Sequence, residues 1–284
     1  MANITAQQVK ELRDKTGAGM ADCKKALVEA DGDMGIALDE LRKRGAASAE
    51  KRADRDTNEG VVATKVSDDG QKAAIAQVTC ETDFVARNDE FVTFVDSIAN
   101  VVYNSSPSNK EELLATDING NKVEDRYNEI LAKFSEKIEV GKFQNLQTSG
   151  YFVDYIHGGS KLGVIVEVSS AKINDDARAL VKDIAMQVAA MNPSFLDRTT
   201  VTQEILEKEK ELYKQQAKEE GKPADIAERI AEGRINKFYK ENCLVEQQYV
   251  KDGNMTITDV LKQISEKAGE DVKINQFIRY SIGG

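Results

Sequence analysis

The sequence predicts an α+β protein: a small helical head, a core in which one plan occurs twice, and a charged helical hairpin. Three observations carry that prediction. Two β-rich runs followed by an apolar, helix-periodic run occur at 60–103 and again at 149–191. The first 44 residues hold short helical patterns separated by glycine turns. Residues 202–243 are dense in Glu, Lys, Ala and Arg on either side of a Gly221-Lys222-Pro223 corner.

At 284 residues the chain has room for two or three small modules. The formal charge is -10 and the isoelectric point lies near 4.9. That balance argues against broad binding to a phosphate backbone, so no direct nucleic-acid partner is expected. Residues 1–55 hold eleven Lys/Arg against ten Asp/Glu, so the acid belongs to the rest of the chain. A near-neutral head on an acidic body implies separate modules. The boundaries fall at 1–55 (head and start of the linker), 56–140 (first core subdomain) and 141–284 (second core subdomain, with the hairpin inserted at about 202–243).

Cys23, Cys80 and Cys243 are far apart and odd in number. They match neither a disulfide framework nor a zinc pattern, and a reducing cytoplasm fits them. The start is polar by Asn3 and Thr5, without a signal-peptide pattern, and no apolar run approaches the roughly 20 residues of a membrane helix.

In chain order, Thr5 caps a first helix with Val9 and Leu12 inward, and Gly17-Ala18-Gly19 ends it. The second helix, about Met20 to Glu29, is expected to bury Met20, Cys23, Ala26 and Leu27. Asp31-Gly32-Asp33 turns into a third helix carrying Ile36, Ala37, Leu38 and Leu41. A three-helix unit of this size resembles the ubiquitin-associated type of fold. Gly17-x-Gly19 lacks the third glycine, the preceding strand and the Lys-Ser/Thr of a phosphate loop, so it reads as a turn. Residues 45–59 read as a polar linker, helical in part. Val61–Val66 and Ala73–Thr79 are strands about the turn Ser67-Asp68-Asp69-Gly70. Helices follow at about 89–103, 110–115 and 123–137. A hairpin (149–157 and 161–168) turns at Gly158-Gly159, and a helix from about Asp175 to Met191 stops at Asn192-Pro193. The hairpin helices, 203–220 and 224–240, share a seam of Ile205, Leu212, Ile226, Ile230 and Ile235, with Pro223 in the first turn of the second. The residues alone leave a solvated arm and a partner-binding arm both open. Val245–Val250 reads as an edge strand, Ile257–Ala268 as a helix capped by Thr256 or Thr258, and Gln276–Ile282 as a final strand.

The informative stretch is Thr79-Cys80-Glu81-Thr82-Asp83-Phe84-Val85-Ala86-Arg87-Asn88, where a strand hands over to a helix. Such connections carry function more often than the elements they join. A phenylalanine beside a carboxylate there suits a wedge. The residues alone also allow Phe84 to fold into its own core and Asp83 to cap the next helix. His157 is the only histidine. No Ser-His-Asp or Cys-His set is legible, several-histidine metal sites are excluded by count, and neither enzyme chemistry nor a cofactor is expected.

Thr82-Asp83-Phe84-Val85-Ala86-Arg87-Asn88 resembles the signature of the elongation factor Ts family, the exchange factors for elongation factor Tu. So do Val9-Lys10-Glu11-Leu12-Arg13, Thr16-Gly17-Ala18-Gly19-Met20, Asp22-Cys23-Lys24-Lys25-Ala26-Leu27, Gly221-Lys222-Pro223, Ile226-Ala227-Glu228 and Glu232-Gly233-Arg234. The matches fall in order along nearly the whole chain. The resemblance implies an N-terminal head against the partner's G domain and a protruding antiparallel coiled coil. It implies guanine-nucleotide exchange, with Thr82, Asp83, Phe84 and Val85 disturbing the partner's magnesium site. It implies further partner contacts at His157, Gly158, Arg13 and Met20. Members often carry Gln before the histidine, where this chain has Ile156. The alternative is a non-catalytic adaptor that joins two partners through head and arm.

Overall fold

The computed structural model describes residues 4–118 and 120–283. Residues 1–3 of the expected head lie outside them. Helices α1 (Ala6–Thr16), α2 (Met20–Glu29) and α3 (Met34–Glu50) form the head. Thr5 Oγ1 accepts from the Gln8 N–H and Gln8 Oε1 accepts from the Thr5 N–H, at 3.2 and 2.9 Å, which starts α1 with a reciprocal cap. Val9, Leu12, Cys23, Ala26, Leu27, Ala37 and Leu41 pack between the helices. Met20, expected inside, is 47% exposed. It sits at the first residue of α2, where the packed face ends. Ile36 is exposed as well, because it lies about 100° round α3 from the inward Ala37. The helix α3 also continues into the expected linker as far as Glu50.

Strands β1 (Glu59–Val66) and β2 (Lys72–Cys80) form the predicted hairpin. After them come a one-turn helix α4 (Asp83–Ala86), α5 (Asp89–Ser105), α6 (Lys110–Ala115), a two-residue pair β3 (Asp117–Ile118) and β4 (Asn121–Lys122), and α7 (Val123–Phe134). A strand that the sequence reading missed, β5 (Glu139–Gln147), then pairs antiparallel with β2. Only Val140 of β5 is fully buried, so its pattern is mostly polar and carries no clear alternation.

The second half repeats the order. Strands β6 (Tyr151–His157) and β7 (Leu162–Val168) form a hairpin, and α8 (Asp175–Met191) follows. After α9 (Gln203–Glu219), α10 (Ala224–Asn242), β8 (Gln248–Tyr249), β9 (Asp252–Thr256) and α11 (Ile257–Ala268), the strand β10 (Ile274–Ser281) adds antiparallel to β7. The sheets thus run β1-β2-β5 and β6-β7-β10.

Alternation along the strands divides the core. Val61, Ala63, Ala74, Ala76 and Val78 meet Phe91, Phe94, Val95 and Ile98 of α5. Their neighbours Val62, Ala73 and Ile75 point the other way, onto Phe152, Ile165 and Ile282. Val153, Val164, Val166 and Val168 meet Val181, Ile184 and Val188 of α8. The two sheets therefore pack face to face with a helix outside each, and burial on both faces makes the strands read as unbroken apolar runs. Gly163 permits the approach: a Cβ there would lie 2.5 Å from Val62 Cγ1.

The expected edge strand at Val245–Val250 is a 3-10 turn (Leu244–Glu246) followed by β8. The buried Gln187 of α8 explains it. Its Nε2 donates to Gln247 Oε1 and to the Gln248 carbonyl, and its Oε1 accepts from the Val250 N–H, at 3.1, 3.0 and 2.9 Å. Only Gln248 and Tyr249 of the expected strand pair in a ladder, with β9, and the Gln187 side chain holds the residues on either side.

Helices α9 and α10 lie along each other beyond a base of Phe195, Val201, Ile205, Leu206, Phe238, Tyr239 and Cys243. The expected seam is corrected in part: Ile205, Ile230 and Ile235 are half-buried, Leu212 and Ile226 are exposed, and Ala217, Ala227 and Ala231 are buried between the helices. Two helices in isolation enclose only a narrow strip, and alanines let them approach. Lys210 and Lys214 reach Glu228 across the gap at 2.9 and 2.6 Å, and such exposed pairs add little each. Replacing residues 209–233 with a short Gly/Ser linker is expected to leave the thermal midpoint of the core within about 3 °C, a shift worth about 1 kcal/mol. Loss of a cooperative transition in calorimetry would show that the arm supports the core. No helix among the described residues is long and apolar enough to cross a membrane.

Candidate partner-binding site

Where β2 leaves its sheet, Glu81 and Thr82 carry the chain into α4. Thr82 caps α4, its Oγ1 accepting from the Val85 N–H at 3.4 Å. The Glu136 carboxylate, just beyond α7, accepts from the N–H groups of Glu81 and Thr82, each at 3.1 Å, and from the Thr82 hydroxyl at 2.6 Å. In return Glu81 Oε1 accepts from the Lys137 N–H at 2.5 Å, and this bond holds the Glu81 carboxyl below the usual range. Arg55 Nη1 donates to Glu81 Oε1 at 3.1 Å, and Lys137 Nζ donates to the carbonyls of Ala53 and Arg55 at 2.7 and 2.9 Å. Arg52 Nη1 donates to the Glu136 carbonyl at 2.6 Å.

On this clamped turn Val85 is 6% exposed and packs with Val61 and the inward face of α5, whereas Phe84 is 83% exposed. Phe84 is the most exposed large hydrophobic side chain among the described residues. Asp83 is half-exposed and pairs with Arg87 at 3.3 Å. Thr82 is partly buried as a cap. Phe84 does not fold into its own core, and Asn88 rather than Asp83 caps α5, accepting from the Glu90 N–H at 3.0 Å. Of the four expected wedge residues, Asp83 and Phe84 face outward, Thr82 shapes the turn, and the Val85 side chain anchors it to the core.

His157 ends β6 and is exposed, its Nδ1 2.8 Å from the Tyr155 hydroxyl. Gly158, Gly159 and Ser160 continue the tip, all with positive φ. The fold carries this tip toward the wedge. Lys161 pairs with Glu59 at 2.5 Å, and Glu59 faces Cys80 in the β1–β2 ladder, two residues before Thr82.

The head adds Arg13 and Met20, both exposed, on either side of the Gly17 turn. A Cβ at Gly17 would lie 2.7 Å from the Lys133 side chain, so the turn rests directly on α7. Lys133 pairs with Glu90 in the first turn of α5, and Arg42 of α3 donates to Glu129 of α7 at 2.5 Å. The tertiary structure thus joins the head turn, α7 and the wedge through adjacent side chains. Sequence reading held Glu81 only as part of the 79–88 stretch and placed Glu136 and Lys137 in the last turn of a helix expected to run to 137. The helix α7 ends at Phe134, with Ser135 left-handed, so both fall in the connection to β5, where they meet the wedge turn.

An exposed aromatic and a carboxylate stand on a turn held by hydrogen bonds from behind, with an exposed hairpin tip and the head on either side. An exposed aromatic of this kind is chemically suited to contact with another protein. The family described as Elongation factor TS matches residues 81–284. Elongation factor Ts of Chloroherpeton thalassium is 46% identical to this chain, across 100% of the chain and 99% of that protein. Elongation factor Ts of Clostridium perfringens strain SM101 is 46% identical across 99% and 93%, and that of Chlorobium phaeobacteroides 45% identical across 100% of both. The chain belongs to the elongation factor Ts family.

Proposed function

We infer that this protein is a guanine-nucleotide exchange factor that binds elongation factor Tu with GDP and promotes GDP release, so that GTP can enter during translation elongation in the cytoplasm. Family membership supports the role and disfavours the adaptor alternative. The observation that carries the mechanism is Phe84, 83% exposed on a turn tied down from behind. A GTPase holds GDP through backbone amides around the phosphates and a bridging magnesium ion. Asp83 and Phe84 wedge beside that site and spoil the magnesium geometry, without covalent chemistry. By reciprocity, bound GDP weakens the factor as much as the factor weakens GDP. A thousandfold acceleration requires about 4 kcal/mol. One buried phenylalanine contributes about 1.5–3 kcal/mol, so His157, Gly158, Arg13 and Met20 share in holding the complex.

The modules follow the same reading. Residues 1–55 are a ubiquitin-associated-like head, the two sheet units are a duplicated core, and α9–α10 is a protruding coiled coil. The pairing of β5 with β2 favours a division at residues 148–150 over the expected one at 140. The test is fluorescent-GDP release from elongation factor Tu with increasing protein. A saturable acceleration is expected, and an unaltered rate overturns the reading. Removing residues 1–50 takes away Arg13 and Met20, leaves Arg52, Ala53 and Arg55 bonded at the clamped turn, and is expected to raise the dissociation constant by about tenfold or more, roughly 1.4 kcal/mol. An unchanged constant, with the core still folded by circular dichroism, would show that the head makes no contact of consequence.

A further inference from the structure

We propose that Glu136 is the positioning residue of the exchange wedge, a role that rests on the exchange reading above. Three observations carry it. First, α4 is a single turn of four residues, too short to hold its own direction. Second, the N–H groups of Glu81 and Thr82 lie just past the last β1–β2 ladder pair, Glu59–Cys80, and the Glu136 carboxylate receives both. Third, the Thr82 hydroxyl donates to Glu136 and accepts from the Val85 N–H, so a continuous chain runs from Glu136 through Thr82 into α4.

The carboxylate supplies what this place needs. It accepts only, so three donors converge on it without conflict, and its charge strengthens each bond. Glu136 is itself held: its carbonyl accepts from Arg52, and its neighbour Lys137 donates its N–H back to Glu81. Two carboxylates are thus exchanged between the wedge turn and the segment after α7, and the linker from the head is tied to the same knot through Arg52, Ala53 and Arg55. Glu136 bonds the two residues that lead into the turn of Phe84 and touches no partner in this role. It spares the wedge the ordering that the release step would otherwise demand of the bound complex.

The experiment measures GDP release from elongation factor Tu against factor concentration for the wild type, Glu136→Gln and Glu136→Asp, with thermal unfolding of each. Gln keeps the size but offers an N–H2 where an acceptor is needed. The saturating rate of Glu136→Gln is expected to fall about tenfold, equivalent to about 1.4 kcal/mol. Glu136→Asp keeps the charge on a side chain one methylene shorter, and its saturating rate should fall between the two. A purely structural role would reduce the folded fraction, which moves the half-saturating concentration and leaves the saturating rate of the folded protein at the wild-type value. A wild-type plateau in Glu136→Gln therefore overturns the proposal. If Glu136→Gln fails to fold, the Glu136→Asp plateau decides in the same way. A wild-type protein without effect on GDP release overturns the exchange reading, and the positioning role with it. Wild-type exchange with unaltered mutant plateaus overturns the positioning role alone.

Discussion

Phe84→Ala is expected to lower the saturating rate of GDP release about thirtyfold, because burial of that ring against the partner contributes about 2 kcal/mol. The unfolding midpoint should stay where it is. At 83% exposure the ring has almost nothing to lose in the free protein. Its neighbour Val85 keeps α4 attached to the core, and the Glu136 and Thr82 bonds around the turn involve no atom of the ring. The concentration dependence separates two contributions. A lower plateau reports lost exchange power, and a shifted midpoint reports lost ground-state binding. A variant whose folded fraction still exchanges GDP at the wild-type rate would refute the wedge.

Phe152→Ala places the same change where burial reverses the outcome. Phe152 is 1% exposed, and its ring fills the layer between the sheets with Val62, Ile75, Ile165 and Ile282. Removing it loses the transfer energy of the ring and leaves a cavity that rigid strands on both sides cannot close. The expected cost is about 3–5 kcal/mol. Calorimetry should show the midpoint falling by about 10 °C. Exchange activity of the protein that remains folded should be close to wild type, since the wedge lies at the far end of β2. A shift of only a degree or two would mean that the two sheets do not share one core.

Much of the fold was legible because its signals are local. Thr256 caps α11 through its bonds with Asp259, and Asn192 ends α8 in the left-handed conformation. The predicted bounds of α2, α6 and α8 coincide with the observed helices. In each case capping and periodicity act within a few residues. The failures share the opposite property. The edge strand β5 has one neighbour and one fully buried residue, so its pairing with β2 is written in β2 as much as in itself. Leu212 and Ile226 of the expected arm seam stay outside while Ala217, Ala227 and Ala231 are enclosed, because the closeness of two helices, rather than side-chain size, decides what is buried.

The candidate site divides in the same way. The sequence by itself determined that a strand-to-helix connection carries an aromatic beside a carboxylate, that one histidine precedes a glycine turn, and that the chain resembles an exchange-factor family. Hydrophobicity could not say whether Phe84 points in or out, since the same ring suits both. Only the tertiary structure decided it. Val85 and Ala86 take the inward side of a one-turn helix, and Phe84 is left outside. The tertiary structure also brought Glu136 to Glu81 and Thr82 across more than fifty residues of chain. No local pattern announces such a meeting, because the bonds form only after α7 has packed and returned the chain to the edge of its sheet.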